Sequence, residues 1–294
     1  MLKLILISVM SLSLYAADAF ISADTLNKEL KNPNLVLIDV GRRADYSAGH
    51  IPNAHHSKMS DYRHGVDGYQ LMNSSKEIVK VMQKFGITNS SHVVIYGHGN
   101  PKEVLKSSYV ALALITQGLN NVSILDGGYL EWVYETDRPV TTALPKTNKG
   151  NFKPQVNKNI VVDRHFVKNN LHKIPMLEAR PATFYYGTFH SKGVKRLGHI
   201  PGAMSSYWKD KFLEDETLQS EDVLKEIFVD GYNINPKEDV LLYCTGGLEA
   251  SMNWYILYQH MNFKKAKIYD GSMREWGNRT DTPMSRYVWE VYKK

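Results

Sequence analysis

Short hydrophobic runs alternate with amphipathic stretches along the first half of the chain. Hydrophobic runs bounded by polar or glycine-containing turns predict strands at residues 35–39, 92–96 and 122–126. Hydrophobic positions at helical spacing predict helices near residues 76–85 and 103–117. Strands that alternate with helices are typical of a mainly parallel sheet with helices on both faces.

The same order of elements returns in the second half. Strands are predicted at residues 174–178, 240–243 and 266–270, and helices near 220–229 and 250–261. Three short motifs also occur in both halves and in the same order: Gly-His-Ile-Pro at 49–52 and 198–201, Asp-Gly at 126–127 and Asp-Gly at 270–271, and Glu-Trp at 131–132 and 275–276. An internal repeat of this kind indicates a duplicated domain.

The predicted fold class is therefore α/β, with two tandem domains that each contain a mainly parallel sheet flanked by helices. We place the first domain at residues 20–142 and the second at 159–294. Residues 143–158 are rich in lysine and asparagine, contain prolines and show no hydrophobic period, so they are interpreted as a linker.

Residues 1–19 have the layout of a secretory signal peptide. Lys3 precedes a hydrophobic run at residues 4–14, and small residues follow. The Ala17-Asp18-Ala19 pattern predicts cleavage before Phe20, with cleavage after Ala16 as the alternative. The run is short for a membrane span. We expect a protein of the bacterial periplasm or the extracellular space, with membrane contact only through this leader.

Composition and charge narrow the function classes. The chain has 294 residues, 22% of them charged, with a formal net charge of +6. Its lysines and arginines are scattered rather than gathered in a basic arm, so nucleic-acid binding is not expected. The histidines at 55, 56 and 64 do not have zinc-site spacing in a chain with one cysteine. We expect no metal and no cofactor.

Cys244 is the single cysteine of the chain, and it follows the predicted strand at residues 240–243. An exported chain with one cysteine cannot form an internal disulfide, so a free thiol is retained in an oxidising compartment. The Gly246-Gly247 pair predicts a loop that curls back before a helix. Backbone N–H groups and a helix start favour an anion there and are expected to lower the pKa of the thiol. The alternative is a buried structural cysteine.

These motifs together resemble the tandem rhodaneses, which are sulfurtransferases acting on thiosulfate or 3-mercaptopyruvate. The resemblance covers residues 21–290 and implies that Cys244 is a catalytic nucleophile that carries a persulfide. It implies that the donor is a small anion and that the acceptor is a thiol or cyanide. The residues it assigns to substrate binding are Arg180, Thr245, Gly246, Gly247, Leu248, Glu249 and Ala250.

The first domain carries Gly97 at the position of the nucleophile, so the resemblance implies that this domain is catalytically silent. It is expected to supply packing and part of the cleft wall. Because the two domains provide each other with an interface, a monomer is expected.

The chain departs from the family pattern inside the loop. It has no arginine or lysine between Thr245 and Ala250, and Glu249 brings a negative charge instead. An inward-pointing Glu249 would oppose a dianion, whereas an outward-pointing one would be a favourable acid in the first helical turn. Glu178 also stands where the family has aspartate. The sulfur donor therefore stays open between thiosulfate, 3-mercaptopyruvate and another compound.

Two other function classes remain as alternatives. One is a sulfane-sulfur carrier or protein-binding module that does not turn over small donors. The other is a cysteine-dependent phosphatase or arsenate reductase, which needs a Cys-x5-Arg loop. The arginine of that loop would have to stand at Ala250, so this alternative is disfavoured.

Overall fold

The computed structural model describes residues 18–99, 101–134 and 137–292. Residues 1–17, which hold most of the predicted leader, lie outside the described residues. The described chain forms two α/β units in the order that the sequence repeat predicts.

The first unit is built on a parallel sheet whose described strands run in the spatial order β1-β7-β6-β2-β3. These strands are β1 (Phe20–Ile21), β2 (Leu35–Asp39), β3 (His55–His56), β6 (His92–Tyr96) and β7 (Val122–Leu125). Its helices are α1 (Ala23–Glu29), α2 (Arg43–Ala48), α3 (Ser75–Lys84), α4 (Pro101–Thr116) and α5 (Gly128–Tyr134). The three strands expected from the sequence are confirmed, and the short edge strands β1 and β3 were not predicted.

The second unit repeats this arrangement, with described strands in the order β10-β9-β11-β12-β8. They are β8 (Val161–Val162), β9 (Met176–Glu178), β10 (Ala203–Ser205), β11 (Val240–Tyr243) and β12 (Ala266–Tyr269), and all pairs are parallel. Its helices are α6 (Arg164–Asn169), α7 (Ala182–Tyr186), α8 (Glu221–Lys225), α9 (Leu248–Tyr255) and α10 (Ser272–Trp276). π-helical turns at Glu226–Gly231 and Ile256–His260 extend α8 and α9.

The burial of the central strands explains why their sequences are hydrophobic throughout. All residues of β6 and β11 are buried, because helices cover both faces of each sheet. On the flanking helices only one face is buried. In α3, for example, Ile78 and Met82 face the core, and a capping box between Ser74 and Glu77 marks the start of the helix.

The two Gly-His-Ile-Pro motifs have the same structural role. His50 stacks on Tyr46 and His199 stacks on Tyr185, each with ring centroids 3.8 Å apart. In both cases histidine Nδ1 lies 2.8 Å from the carbonyl oxygen of the stacked tyrosine. The matching geometry supports duplication, and in both units the stacking and the hydrogen-bond contact fix the loop that carries the histidine.

Helices α4 and α9 pack against each other at the interface between the units, and their buried residues belong to one continuous hydrophobic cluster. The hydroxyls of Ser108 and Ser251 lie 2.8 Å apart across this contact. A hairpin that was not predicted, formed by β4 (Arg63–Val66) and β5 (Tyr69–Met72), also reaches the second unit. Its Met72 N–H donates to Asp270 Oδ2 at 2.7 Å.

Residues 143–158 contain no helix or strand, as expected for a connection, but they are packed against the first unit. Phe152 is buried, and the N–H groups of Gly150 and Gln155 each donate at 2.8 Å to carbonyl oxygens of the first unit. The segment is thus an ordered connection that packs against the first unit.

Within the described ranges, the helices are too short or too polar to span a bilayer.

Candidate active site

Cys244 lies at the carboxyl end of β11, and α9 begins four residues later at Leu248. The intervening turn is possible because Gly247 adopts a left-handed conformation with φ of 91°. A side chain at this position would also meet the Asp270 carboxylate. Two physical constraints therefore require glycine in the loop, and the sequence-based prediction of a tight turn is confirmed.

Backbone N–H groups surround the sulfur of Cys244. Gly247 donates its N–H to Sγ at 3.1 Å, and the N–H groups of Gly246 and Ala250 also point at the sulfur. The N–H of Cys244 itself donates to Ser272 Oγ at 3.1 Å, which ties the loop to α10. Converging N–H groups of this kind stabilise an anion on the sulfur or on an atom bonded to it.

The structure places Glu249 inward, which decides between the two orientations that the sequence left open. The Thr245 N–H donates to Glu249 Oε2 at 3.5 Å. The same carboxylate is near enough to the Cys244 thiol for each group to shift the pKa of the other. Burial raises the pKa of Glu249, while the neighbouring Cys244 thiol, the Thr245 N–H and Arg180 act in the opposite direction.

The expectation of a lowered thiol pKa is wrong for this resting arrangement. Burial raises the pKa of Cys244 to about 12, and the nearby Glu249 carboxylate raises it further. The N–H groups of Ala250 and Gly246 lower it, but less than desolvation raises it. The N–H groups favour the thiolate as expected, but the full burial of the thiol and the inward Glu249 carboxylate outweigh them.

Arg180 is buried directly behind the loop. Its Nε and Nη2 donate to the Glu178 carboxylate, and Nη2 also donates to the Gly198 carbonyl oxygen at 2.8 Å. Its Nη1 donates to Ser191 Oγ at 3.3 Å, and that hydroxyl lies 3.4 Å from Thr245 Oγ1. Arg180 is thus paired with Glu178, and donor binding by Arg180 stays a prediction.

A cavity of about 390 Å³ opens beside the loop, between the two units. Its walls come from both: Met59, Arg63, Gln70, Lys102, Leu105 and Lys106 from the first, and Thr245, Gly246, Leu248, Glu249 and Arg274 from the second. Arg274 brings to the cavity a positive charge that the loop sequence lacks, whereas Lys106 is paired with Glu103 and Arg63 with Asp270. No local motif marked Arg63, Lys106 or Arg274, because the fold brings them to Cys244 from distant parts of the chain.

The corresponding loop of the first unit has no nucleophile. Gly97 stands at the position of Cys244, and its carbonyl oxygen accepts the Tyr129 N–H at 2.8 Å. The next residue, His98, places Nε2 2.7 Å from Asp39 Oδ2. These groups form an internal network and supply no thiol, and the catalytic silence of this unit stays a prediction.

A model of the rhodanese-like domain matches the chain twice, at residues 22–135 and 163–279. The chain is 28% identical to the sulfur carrier protein TtuD of Thermus thermophilus, with coverage of 92% of this chain and 97% of TtuD. It is 26% identical to a thiosulfate sulfurtransferase of Corynebacterium glutamicum (91% and 90% covered). It is also 26% identical to the 3-mercaptopyruvate sulfurtransferase of Escherichia coli (90% and 97% covered).

Solved structures show the same fold. The crystal structure of YnjE superposes with a TM-score of 0.80 at 21% identity, covering 92% of this chain and 69% of YnjE. The anaerobic ergothioneine biosynthesis enzyme of Chlorobium limicola, in complex with trimethyl histidine, gives a TM-score of 0.79 at 22% identity, with 92% and 70% covered. With two matched domains across most of its length, this chain belongs to the rhodanese family as a tandem-domain member.

Proposed function

We propose that this protein is a sulfurtransferase that moves a sulfane sulfur from thiosulfate or 3-mercaptopyruvate to a thiol or cyanide. The observation that carries the proposal is the position of Cys244. Backbone N–H groups point at its sulfur, and its loop lines a cavity between the two units. Relatives named for both donors support the reaction class.

The proposed reaction has two transfers. The Cys244 thiolate attacks the outer sulfur of the donor and forms a persulfide, while the donor's original bond to that sulfur breaks and its electron pair leaves with sulfite or with the enolate of pyruvate. An acceptor thiolate or cyanide then attacks the outer sulfur and regenerates the Cys244 thiolate. The N–H groups of the loop stabilise the persulfide anion between the two transfers.

The remaining assignments follow from the same arrangement. The residues proposed to hold the donor and the persulfide are Arg180, Thr245, Gly246, Gly247, Leu248, Glu249 and Ala250. Arg180 acts on the site from behind the loop, through Ser191 and the neighbouring Thr245 hydroxyl. The partly exposed Arg274 and Lys106 at the cavity give an anionic donor a favourable path to the thiol.

Intact-mass measurement of the purified chain tests this function. After incubation with thiosulfate or 3-mercaptopyruvate, the protein is expected to gain one sulfur atom and to lose it again on addition of cyanide or a thiol. Cys244→Ala, which removes the nucleophile, is expected to gain nothing from either donor. If the unmodified chain gains no sulfur from either compound, the proposal is overturned.

A sulfur carrier is the second candidate, and the relative named as a sulfur carrier favours it. A carrier would accept sulfur from a persulfide-bearing protein and would not cycle between a small donor and cyanide. Formation of many molecules of thiocyanate per molecule of enzyme would therefore indicate the sulfurtransferase and not the carrier.

The phosphatase alternative lacks structural support, because Ala250 is a buried alanine with no basic group to hold phosphate.

A further inference from the structure

The cavity beside Cys244 has an uneven distribution of charge. Among the described residues that line it, Glu249 is the single acid, and its carboxylate lies against the thiol. The cations Arg274 and Lys106 lie on the walls and are partly exposed, and Lys106 is paired with Glu103 at 3.4 Å. A substrate that enters thus meets positive charge on the walls and negative charge next to the reacting sulfur.

This arrangement is unfavourable for thiosulfate. Its sulfonate group is bonded directly to the sulfur that Cys244 would attack, so the sulfonate oxygens have to approach the Glu249 carboxylate. Like charges at such short separation in a buried site repel each other strongly. Thiosulfate cannot keep its reacting sulfur at Cys244 and move its charge away to Lys106 or Arg274.

A 3-mercapto-2-oxo acid fits the same distribution of charge. Its carboxylate is separated from the sulfur by two carbon atoms, so the carboxylate can contact the wall cations while the sulfur reaches Cys244. Guanidinium and ammonium groups are the natural partners for such a carboxylate.

The two donors also differ in their need for a proton. When thiosulfate loses its outer sulfur, sulfite leaves as a stable anion. When a mercapto-oxo acid does so, the electron pair of the C–S bond remains on carbon as an enolate, which must be protonated to give the 2-oxo acid. The group that supplies this proton must lie close to the sulfur.

We propose that Glu249 is the catalytic acid–base residue of this site and that it directs the enzyme to 3-mercapto-2-oxo acids rather than thiosulfate. Glu249 takes the proton of the Cys244 thiol, the thiolate attacks the donor sulfur, and the C–S bond breaks. Glu249 then gives the proton to the enolate carbon and returns to its carboxylate form, so that protons and electrons balance. The inference rests on the proposed sulfur transfer at Cys244.

The environment of Glu249 supports a proton-carrying role. Burial raises its pKa, which brings the protonated form closer to neutral pH. The charged or titratable groups that act on it or respond to it are Cys244 in its own loop, Arg180 and Glu178 from the end of β9, and Tyr207, whose pKa the Glu249 carboxylate helps to raise. Arg180 and Glu178 are paired with each other, so they leave the Glu249 carboxyl able to exchange a proton with the thiol.

Persulfide formation on Cys244, followed by rapid quenching and intact mass, tests the proposal with both donors at equal concentration. We expect the unmodified enzyme to be loaded faster by 3-mercaptopyruvate. In Glu249→Gln, which keeps the shape and removes the acid, loading by 3-mercaptopyruvate should fall about 100-fold. Loading by thiosulfate should be equal or faster, since the opposing charge is gone. The matched control Glu226→Gln, at an exposed glutamate, should change neither rate.

The outcomes separate this inference from the proposed function. If the unmodified enzyme is loaded faster by thiosulfate, or if Glu249→Gln changes both rates in the same proportion, the role of Glu249 is overturned while sulfur transfer stands. If neither donor loads the unmodified enzyme, the proposed function fails and this inference fails with it. Far-ultraviolet circular dichroism of each variant checks that it is folded.

Discussion

Arg63, in the β4–β5 hairpin of the first unit, donates from Nη2 to the carbonyl oxygen of Gly246, in the loop after Cys244, at 2.6 Å. The same guanidinium lies 3.7 Å from the Asp270 carboxylate and 4.4 Å from the ring centroid of Tyr109. The first unit therefore helps to hold the Cys244 loop in place, even though it carries glycine where the second unit carries Cys244.

Loss of Arg63 is expected to damage stability and sulfur loading together. Arg63→Met leaves the buried Asp270 carboxylate without its cation, which typically costs about 3 kcal/mol of unfolding free energy. It also frees the Gly246 carbonyl, so persulfide formation should slow. Urea unfolding and intact-mass loading measure the two effects. Arg42→Met, which removes an exposed ion pair with Asp45, is the control and should change neither. If Arg63→Met has the same free energy of unfolding as the unmodified protein, the proposed support of the loop by Arg63 is contradicted.

Gly247 is expected to tolerate substitution less well than a glycine of nearly identical conformation. Gly247 and Gly68 have φ of 91° and 90°, but an added side chain meets Asp270 at the first and nothing within 4 Å at the second. We expect Gly68→Ala to cost about 1 kcal/mol and Gly247→Ala about 3 kcal/mol. Thermal or urea unfolding measures both. Equal costs would show that crowding against Asp270 is unimportant.

The reactivity of Cys244 should rise to unusually high pH. Because burial raises the pKa of the thiol to about 12, alkylation by iodoacetamide is expected to keep accelerating above pH 9 in the native protein. The urea-unfolded chain is an internal control, since its single thiol should level off near the ordinary cysteine pKa of about 8.5. Native kinetics that level off at the same pH as the unfolded chain would contradict the prediction.

Lys211 should make stability depend on pH in the alkaline range. Burial lowers its pKa from 10.5 to about 8, and its Nζ donates to the Tyr207 carbonyl oxygen at 2.7 Å. Between these pH values the unfolded chain holds a proton that the native protein has lost. The contribution of Lys211 to the free energy of unfolding therefore grows as the pH rises from 8 to 10.5, and it is lost as the pH falls through 8.

Lys211→Met removes that titration. The free energy of unfolding of this variant, measured in urea, should exceed that of the unmodified protein by the largest margin at pH 7. This margin should shrink as the pH approaches 10. Lys209→Met, at an exposed lysine of the same turn, should show a constant difference. A constant difference for Lys211→Met as well would mean that Lys211 does not titrate abnormally.

We propose that the leader is removed after Ala16 rather than after Ala19 and that the mature protein is exported. The Ala19 carbonyl oxygen accepts the Ile124 N–H at 2.8 Å and the Tyr255 hydroxyl at 2.6 Å. The Asp18 carbonyl oxygen also accepts a hydrogen bond, from Ser123 Oγ. Cleavage after Ala19 would remove these acceptors from a buried sheet edge. Amino-terminal sequencing of the exported protein should read Ala17 first, and a Phe20 start would refute this.

Most of the architecture could be predicted because its signal is local. The hydrophobic runs that became β6 and β11 are buried throughout, the run that became β2 is buried over its last three residues, and the repeated motifs ordered the two units along the chain. The missed strands have weaker signals. β1 and β8 are two-residue edge strands, and the β4–β5 hairpin lies outside both sheets.

The sequence by itself determined the family resemblance, the position of Cys244 at the end of a buried strand and the absence of a second thiol. Tertiary structure alone decided that Glu249 lies against the sulfur, that Arg180 is paired with Glu178, and that Arg63 from the other unit supports the loop. The physical reason is the difference between interactions of residues that are close in sequence and interactions of residues that are distant in sequence. Strand and turn propensities depend on neighbouring residues, whereas burial, charge and hydrogen bonding at the thiol depend on groups that only folding brings within a few ångströms.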